Sequence, residues 1–121
     1  MKSNLSHFAV IFPCQDPEAI ATWYQDKLGF EISFRWENPA SYIVTHKDEV
    51  VSIHFSKTDK KELQPCMISI FCHDVDAAYE ELSQNDIKHI SKPEDREYGM
   101  RDFDVVDPWG NRITYGKSIS E

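Results

Sequence analysis

Apolar and polar residues alternate along several short stretches of the chain, a period typical of half-buried β-strands. Between Glu31 and Trp36, for example, Ile32, Phe34 and Trp36 alternate with polar residues. The same pattern, together with β-branched and aromatic content, predicts eight strands in all. They span Asn4 to Pro13, Glu31 to Trp36, Ser41 to His46, Val50 to Ser56, Met67 to Cys72, Ile87 to Ile90, Arg101 to Val106 and Arg112 to Tyr115.

Two stretches have helical spacing instead. Asp16-Pro17-Glu18 combines a good N-cap, a proline suited to the first helical position and an acidic first turn. Gly29 predicts the end of this helix, as a left-handed cap. A second helix is predicted to start after Asp74, with an apolar face of Val75, Ala78, Tyr79 and Leu82.

The predicted elements repeat in the same order. A strand, a helix and three strands occur over about residues 4–56 and again over about 67–116. Shifting the sequence by 58 residues places Asp16 on Asp74 and Ala19 on Ala77. We therefore predict an α+β fold in which residues 1–121 form one domain made of two βαβββ modules.

Charge and composition narrow the possible partners. The chain has 13 Lys and Arg against 21 Asp and Glu, a net charge of −8. Such a chain is a poor candidate for binding the phosphates of a nucleic acid, and it favours cationic ligands. The longest apolar run, Phe8 to Pro13, is too short to span a membrane.

The N-terminus has no signal-peptide pattern, which predicts a cytoplasmic protein. Cys14, Cys66 and Cys72 form an odd set without a Cys-x-x-Cys pair, so we expect reduced, structural thiols.

Several motifs together resemble those of a known superfamily. They are Cys14 to Pro17 leading to Trp23-Tyr24 and Leu28 to Phe30, then Ser52 to Ser56, Gly99 to Phe103 and Asp107 to Arg112. This set resembles the vicinal oxygen chelate superfamily, which includes glyoxalase I, extradiol dioxygenases and bleomycin-resistance proteins. The resemblance covers nearly the whole chain and is greatest to the bleomycin-resistance branch.

The resemblance implies a glyoxalase/bleomycin resistance fold, in which tandem βαβββ units form a curved mixed sheet around a cleft. It also implies a homodimer with arm exchange and ligand crevices between subunits.

Metal-using members of the superfamily place ligands at four positions, which fall here on Ala9, His54, Met67 and Thr114. Alanine has no donor atom, and a thioether or a neutral hydroxyl is a poor ligand for the divalent cations involved. His7, two residues before Ala9, is an alternative ligand that would pair with His54. One histidine cannot hold a catalytic ion, so we expect neither a metal nor another cofactor.

If Ala9 and Thr114 mark the cleft, strand alternation sorts the other residues into two faces. One face is uniformly apolar and should pack on the helices. It holds Phe8, Val10, Phe12, Ile53, Phe55, Ile68, Ile70, Ile113 and Tyr115. The cleft face is mixed and suits a solvated, ligand-accepting concavity. It holds His7, Ile11, Ser52, His54, Ser56, Met67, Ser69, Phe71, Arg112, Thr114 and Gly116.

Acidic and aromatic side chains add to this predicted site. If Phe103 and Val105 face the helices, Asp102 and Asp104 face the cleft or its rim, where paired carboxylates would attract a cation. Trp36 ends a strand and Trp109 lies at the tip of a turn, where flat side chains can stack on a planar ligand. Bleomycin-binding relatives clamp a planar ligand with aromatics from comparable regions. Weaker aromatic candidates are Tyr98, Phe34 and Tyr42.

These observations favour a metal-independent binding protein, similar to bleomycin-resistance proteins, that sequesters a cationic and partly planar small molecule. An antibiotic is one such ligand. The alternative is a divergent lyase, isomerase or dioxygenase of the same superfamily, with a metal held by His54, His7 and an acid. A third possibility is a regulatory or interaction domain whose cleft is closed by side chains.

Overall fold

A computed structural model describes residues 3–119 of the protein. The chain divides into two compact units, Met1–Leu63 (unit 1) and Gln64–Glu121 (unit 2). Among the described residues, no helix is long and apolar enough to cross a membrane.

Unit 1 is a four-stranded mixed sheet with one helix. Along the chain it consists of β1 (Val10–Cys14), α1 (Pro17–Leu28), β2 (Glu31–Trp36), β3 (Tyr42–Lys47) and β4 (Val51–Lys57). The strands lie in the order β1-β4-β3-β2. β1 is parallel to β4, and the other neighbours are antiparallel.

Unit 2 repeats this topology. It consists of β5 (Met67–Phe71), α2 (Val75–Leu82), β6 (His89–Ile90), β7 (Glu94–Asp95), β8 (Met100–Val106) and β9 (Arg112–Ser118). The order is β5-β9-β8-β6, and the short β7 also pairs with β8. The first strand of each unit is thus parallel to the last one, which confirms the predicted α+β repeat.

The helix starts follow the sequence prediction. The Asp16 side chain accepts a hydrogen bond from the Ala19 amide at 3.1 Å, and the Asp74 side chain accepts one from Ala77 at 3.0 Å. Each carboxylate satisfies an amide that the helix leaves unpaired. Gly29 has a φ of 78°, the left-handed conformation expected at its C-cap.

Each helix covers one face of its own sheet, and the cores lie there. In unit 1, aromatic edges meet between α1 and the sheet, with Tyr24 and Phe55 centroids 5.0 Å apart and Phe12 and Phe55 centroids 5.8 Å apart. In unit 2, Phe103 stacks on Tyr115 at 5.1 Å. The apolar strand face was therefore correctly predicted at these positions.

The first predicted strand is wrong over most of its length. β1 begins at Val10, so residues 3–9 precede the sheet rather than joining its edge. Phe8, expected against the helix, is 81% exposed, and Leu5 is 84% exposed. Alternation alone cannot predict this, because a strand also needs a partner. With Val10 opposite Ile53 in the parallel pair, residues 3–7 lie beyond Val51, the first residue of β4.

A bulge in β2 corrects a second expectation. Ile32 lies opposite Thr45, but the register shifts before Phe34, which lies opposite Val44. One extra residue reverses the alternation, since successive side chains point to opposite faces. Ile32 therefore faces α1, whereas Phe34 and Trp36 lie on the other side of the sheet.

Candidate functional site

The sheet of unit 1 has a face that α1 does not cover, which we call the open face of unit 1. Its centre is made by six side chains from all four strands: Ile11, Phe34, Trp36, Tyr42, Val44 and His54. The same register places Pro13, Glu31, His46, Ser52 and Ser56 around them on this face. Trp36 is 58% exposed, and Phe34 and Ile11 are also more than half exposed. The surface thus has an apolar and aromatic centre flanked by polar side chains, a combination that ligand sites also show.

Strand register explains why these residues share a face. Ile11, His54, Val44 and Phe34 occupy successive paired positions across the four strands. Arg35, next along β2, points to the helix side and pairs with Glu18 of α1 at 2.9 Å. The bulge thus places two aromatic side chains on the open face.

Tyr42 and His54 form the polar centre of this face. The Tyr42 hydroxyl lies 2.7 Å from His54 Nδ1, and the two rings meet edge to face with centroids 5.4 Å apart. Burial lowers the pKa of His54 below its usual value, since a partly desolvated imidazole resists protonation. The lowered pKa favours the neutral form of the His54 ring.

The uncovered face of the unit 2 sheet, the open face of unit 2, is more polar. Its strand positions include Met67, Ser69, Phe71, Asp102, Asp104, Arg112 and Thr114. The Asp104 carboxylate accepts a hydrogen bond from the Thr114 hydroxyl at 2.7 Å and forms an ion pair with Arg112 at 3.2 Å. The carboxylate of Asp104 is thus engaged by its neighbours on β9.

Asp102 is only 4% exposed and has two strong partners. Arg96 Nε lies 2.8 Å from one carboxylate oxygen, and the Tyr98 hydroxyl donates to the other at 2.6 Å. Burial opposes the charge, but the bonds from Tyr98 and Arg96 outweigh it and lower the pKa of Asp102. Glu94 holds the same arginine at 2.7 Å.

Trp109 lies at the tip of the β8–β9 turn and is 43% exposed. Its amide and that of Asn111 both donate to one oxygen of Asp107, at 2.9 Å each. Asn111 in turn accepts a hydrogen bond from the Cys66 amide at 2.7 Å. This buried network fixes the turn that carries the tryptophan.

The structure brings some of the predicted site residues close together and keeps others apart. Trp36 and His54 share the open face of unit 1, while Tyr98 contacts Asp102 and Thr114 contacts Asp104. His7 lies on the exposed segment before β1, where its ring bonds the adjacent Ser6 hydroxyl at 2.8 Å.

Arg96 is the residue that sequence reasoning missed. It lies in a loop between short strands, and its contact with Asp102 depends on the β7–β8 pairing. No sequence pattern indicates that contact.

The positions used for metal ligation by superfamily relatives do not fit a divalent cation here. Ala9 has no donor, Met67 is exposed, the Thr114 hydroxyl donates to Asp104, and His54 bonds Tyr42. Within residues 3–119, no three His, Cys, Asp or Glu side chains converge as ligands.

Comparison with solved structures shows the same fold over nearly the whole chain. A bleomycin-binding protein complexed with bleomycin is 20% identical, with a TM-score of 0.80, and the match covers 94% of this chain and 99% of that one. TioX from Micromonospora sp. ML1 is 16% identical (TM-score 0.78; 93% and 98% covered). The bleomycin-binding protein from bleomycin-producing Streptomyces verticillus, complexed with copper(II)-bleomycin, is 20% identical (TM-score 0.73; 99% and 100% covered).

Among curated protein sequences, none matches the chain significantly. The profile of the Glyoxalase/Bleomycin resistance protein/Dioxygenase superfamily, however, matches residues 4–115. This match and the shared βαβββ topology confirm the resemblance seen in the motifs. The chain belongs to the glyoxalase/bleomycin resistance protein/dioxygenase superfamily.

Proposed function

We propose that this protein binds a small, partly planar, cationic molecule and sequesters it without a metal. The observation that carries the proposal is the open face of unit 1, where Trp36, Phe34 and Tyr42 present aromatic surface on rigid strands. An aromatic side chain gains most from burial against another flat group, and Trp is the best partner for a cation. The bleomycin-bound state of two structural neighbours supports the same class of ligand.

The cationic part of the proposal is supported by the net charge of −8, which raises the local concentration of positive ligands. Asp102 and Asp104 were the expected counter-ions, but each already pairs with an arginine. A ligand cation would therefore compete with Arg96 or Arg112. Of the two carboxylates Asp104 is the more accessible, with 26% of its side chain exposed against 6% for Asp102.

We further propose a homodimer with arm exchange, the ligand lying between subunits. Residues 3–9 precede β1 and are exposed, apart from Ala9. They include the apolar Leu5 and Phe8, whose burial against a second copy would be favourable. Leu5→Ser with Phe8→Ser should shift the protein toward monomer in analytical ultracentrifugation, whereas Ser3→Ala should not.

Ligand binding is tested by titrating chelator-treated protein with bleomycin and with the planar cation proflavine. We expect saturable binding of at least one probe, followed by tryptophan fluorescence and calorimetry. Trp36→Leu should weaken it at least tenfold, whereas Trp23→Phe should leave affinity unchanged. Absence of binding by both probes up to millimolar concentration would contradict the proposal.

The cationic component has its own test. Asp104→Asn should weaken proflavine binding and reduce its salt dependence. If Asp102→Asn and Asp104→Asn together leave the affinity unchanged at every salt concentration, the electrostatic argument is wrong. A stoichiometric metal ion after exposure to Zn²⁺, Mn²⁺, Fe²⁺ and Ni²⁺ would favour the lyase, isomerase or dioxygenase alternative instead.

A further inference from the structure

The contact between Tyr42 and His54 bears on which hydrogen-bonding groups a ligand must have, a property that aromatic stacking does not determine. Its two side chains come from neighbouring antiparallel strands and meet through the Tyr42 hydroxyl and His54 Nδ1, 2.7 Å apart. Within the described part of the chain, Tyr42 is the one hydrogen-bond partner of this imidazole. The second ring nitrogen, Nε2, can therefore form a hydrogen bond with a ligand that covers the open face of unit 1.

A neutral imidazole has one N–H donor and one acceptor nitrogen, and the partner of one nitrogen decides the state of the other. A phenolic hydroxyl is a better donor than an imidazole N–H, and an imidazole nitrogen is a better acceptor than a phenolic oxygen. This difference favours donation from the Tyr42 hydroxyl to Nδ1, which would leave the ring proton of His54 on Nε2. The pair acts as a fixed N–H donor.

The surroundings make this donor selective. Across the sheet, the positions in register with His54 are held by Ile11, Val44 and Phe34, none of which can hydrogen-bond through its side chain. A ligand that covers this row and offers no acceptor would leave the N–H without a partner. An unsatisfied buried donor costs more than the net gain from a satisfied one.

We infer that the Nε2–H of His54 is a specificity-determining donor, and that the planar part of the ligand carries a hydrogen-bond acceptor, either a ring nitrogen or a carbonyl oxygen. This inference rests on the proposed function. Stacking on Trp36 and Phe34 would then provide affinity for flat molecules in general, whereas His54 would discriminate among them. A typical neutral hydrogen bond corresponds to a preference of about threefold to tenfold.

The test uses two flat probes of nearly the same shape, quinoline and naphthalene, at about pH 8, where both are uncharged. Quinoline has a ring nitrogen that can accept, and naphthalene has none. Titrations of the full-length protein followed by ¹H–¹⁵N NMR should show about threefold to tenfold tighter binding of quinoline. Long-range ¹H–¹⁵N spectra of the free protein should show the His54 proton on Nε2.

Three variants separate the hydrogen bond from other effects. His54→Leu should abolish the preference for quinoline while naphthalene still binds, and His54→Gln, which keeps an N–H donor, should retain part of it. His89→Leu, at an exposed position of β6, serves as the matched control and should leave the ratio unchanged.

The outcomes distinguish this inference from the proposed function. Equal binding of the two probes by the wild-type protein, or a His54 proton on Nδ1, would overturn the donor assignment and leave planar-ligand binding intact. If neither probe perturbs residues of the open face of unit 1 while proflavine still does, the donor inference fails and the proposed function stands. If proflavine also leaves this face unperturbed, both proposals fail.

Discussion

The buried turn that carries Trp109 leads to a quantitative prediction for Asn111→Ala. Asn111 is 6% exposed and makes two side-chain hydrogen bonds, donating to Asp107 at 2.9 Å and accepting from the Cys66 amide at 2.7 Å. Alanine removes both and leaves the Cys66 amide and one carboxylate oxygen without these partners. The first loss costs about 1–3 kcal/mol and the second about 1.5–3 kcal/mol.

Because the two bonds share one side chain, their losses are not additive, and we expect about 3 kcal/mol in total. At about 2.1 cal/mol/K per residue, a chain of 121 residues has an unfolding entropy of about 0.25 kcal/mol/K. The melting temperature should therefore fall by about 12 °C. Calorimetry measures the change in melting temperature, and urea denaturation measures the change in the free energy of unfolding.

Asn111→Asp sharpens the experiment because it keeps the acceptor for Cys66 but places a second carboxylate against Asp107. Two close carboxylates resist joint ionisation, and one of them takes up a proton as the pH falls. The variant should therefore be most unstable near pH 7 and recover toward pH 4. Asn4→Ala, at an exposed position, is the control.

The reasoning would be refuted if Asn111→Ala melted within about 2 °C of the wild type. A pH-independent defect in Asn111→Asp would also show that Asp107 is not the partner that matters.

Three further outcomes follow from other buried or half-buried groups. Tyr98 and Arg96 lower the pKa of Asp102 despite its burial, so the ionised carboxylate stabilises the fold above about pH 4. This stabilisation is lost as the pH falls through the lowered pKa. The free energy of unfolding in urea should therefore differ less between the wild type and Asp102→Asn at low pH. Burial lowers the pKa of His54, so acidification from about pH 6.5 downward should destabilise the wild type more than His54→Gln in thermal melts. Burial raises the pKa of Cys14 to about 11, so alkylation at pH 8 should be slow until urea unfolds the protein.

Local chemistry made the helices predictable. Asp16 and Asp74 occupy equivalent places and cap α1 and α2 with nearly the same geometry. A capping side chain bonds an amide only three residues along the chain, so the sequence alone predicts where the helix begins. The order of a strand, a helix and then further strands in both units follows from the same kind of local signal, whereas the short β7 of unit 2 has no counterpart in unit 1.

Features that depend on pairing between strands could not be read in the same way. The bulge after Ile32 reverses the side of the sheet on which Phe34 lies, and the alternation in sequence contains no trace of it. The Tyr42–His54 bond likewise depends on the register of β3 and β4. Each distinction requires knowledge of the partner strand, which a single sequence does not carry.

The charged groups of unit 2 show a different reason for incomplete prediction. Spacing correctly placed Asp102 and Asp104 away from the core-facing Phe103 and Val105. It could not reveal that a loop arginine neutralises Asp102, because loop conformation is not encoded in a periodic pattern. Net charge counts these carboxylates as free, whereas the structure shows them already paired.

The two units combine one topology with two kinds of surface. In both, the face against the helix is mainly apolar, because that face must form the core. The opposite face is not subject to this requirement, and it differs between the units. Unit 1 presents aromatic rings around the Tyr42–His54 pair, and unit 2 presents carboxylates bonded to arginine, tyrosine and threonine. Under the proposed function, the open face of unit 1 would therefore recognise flatness and hydrogen-bonding pattern. Changes there, such as Trp36→Leu or His54→Leu, should alter ligand choice with little effect on stability, whereas changes at Phe55 should do the reverse.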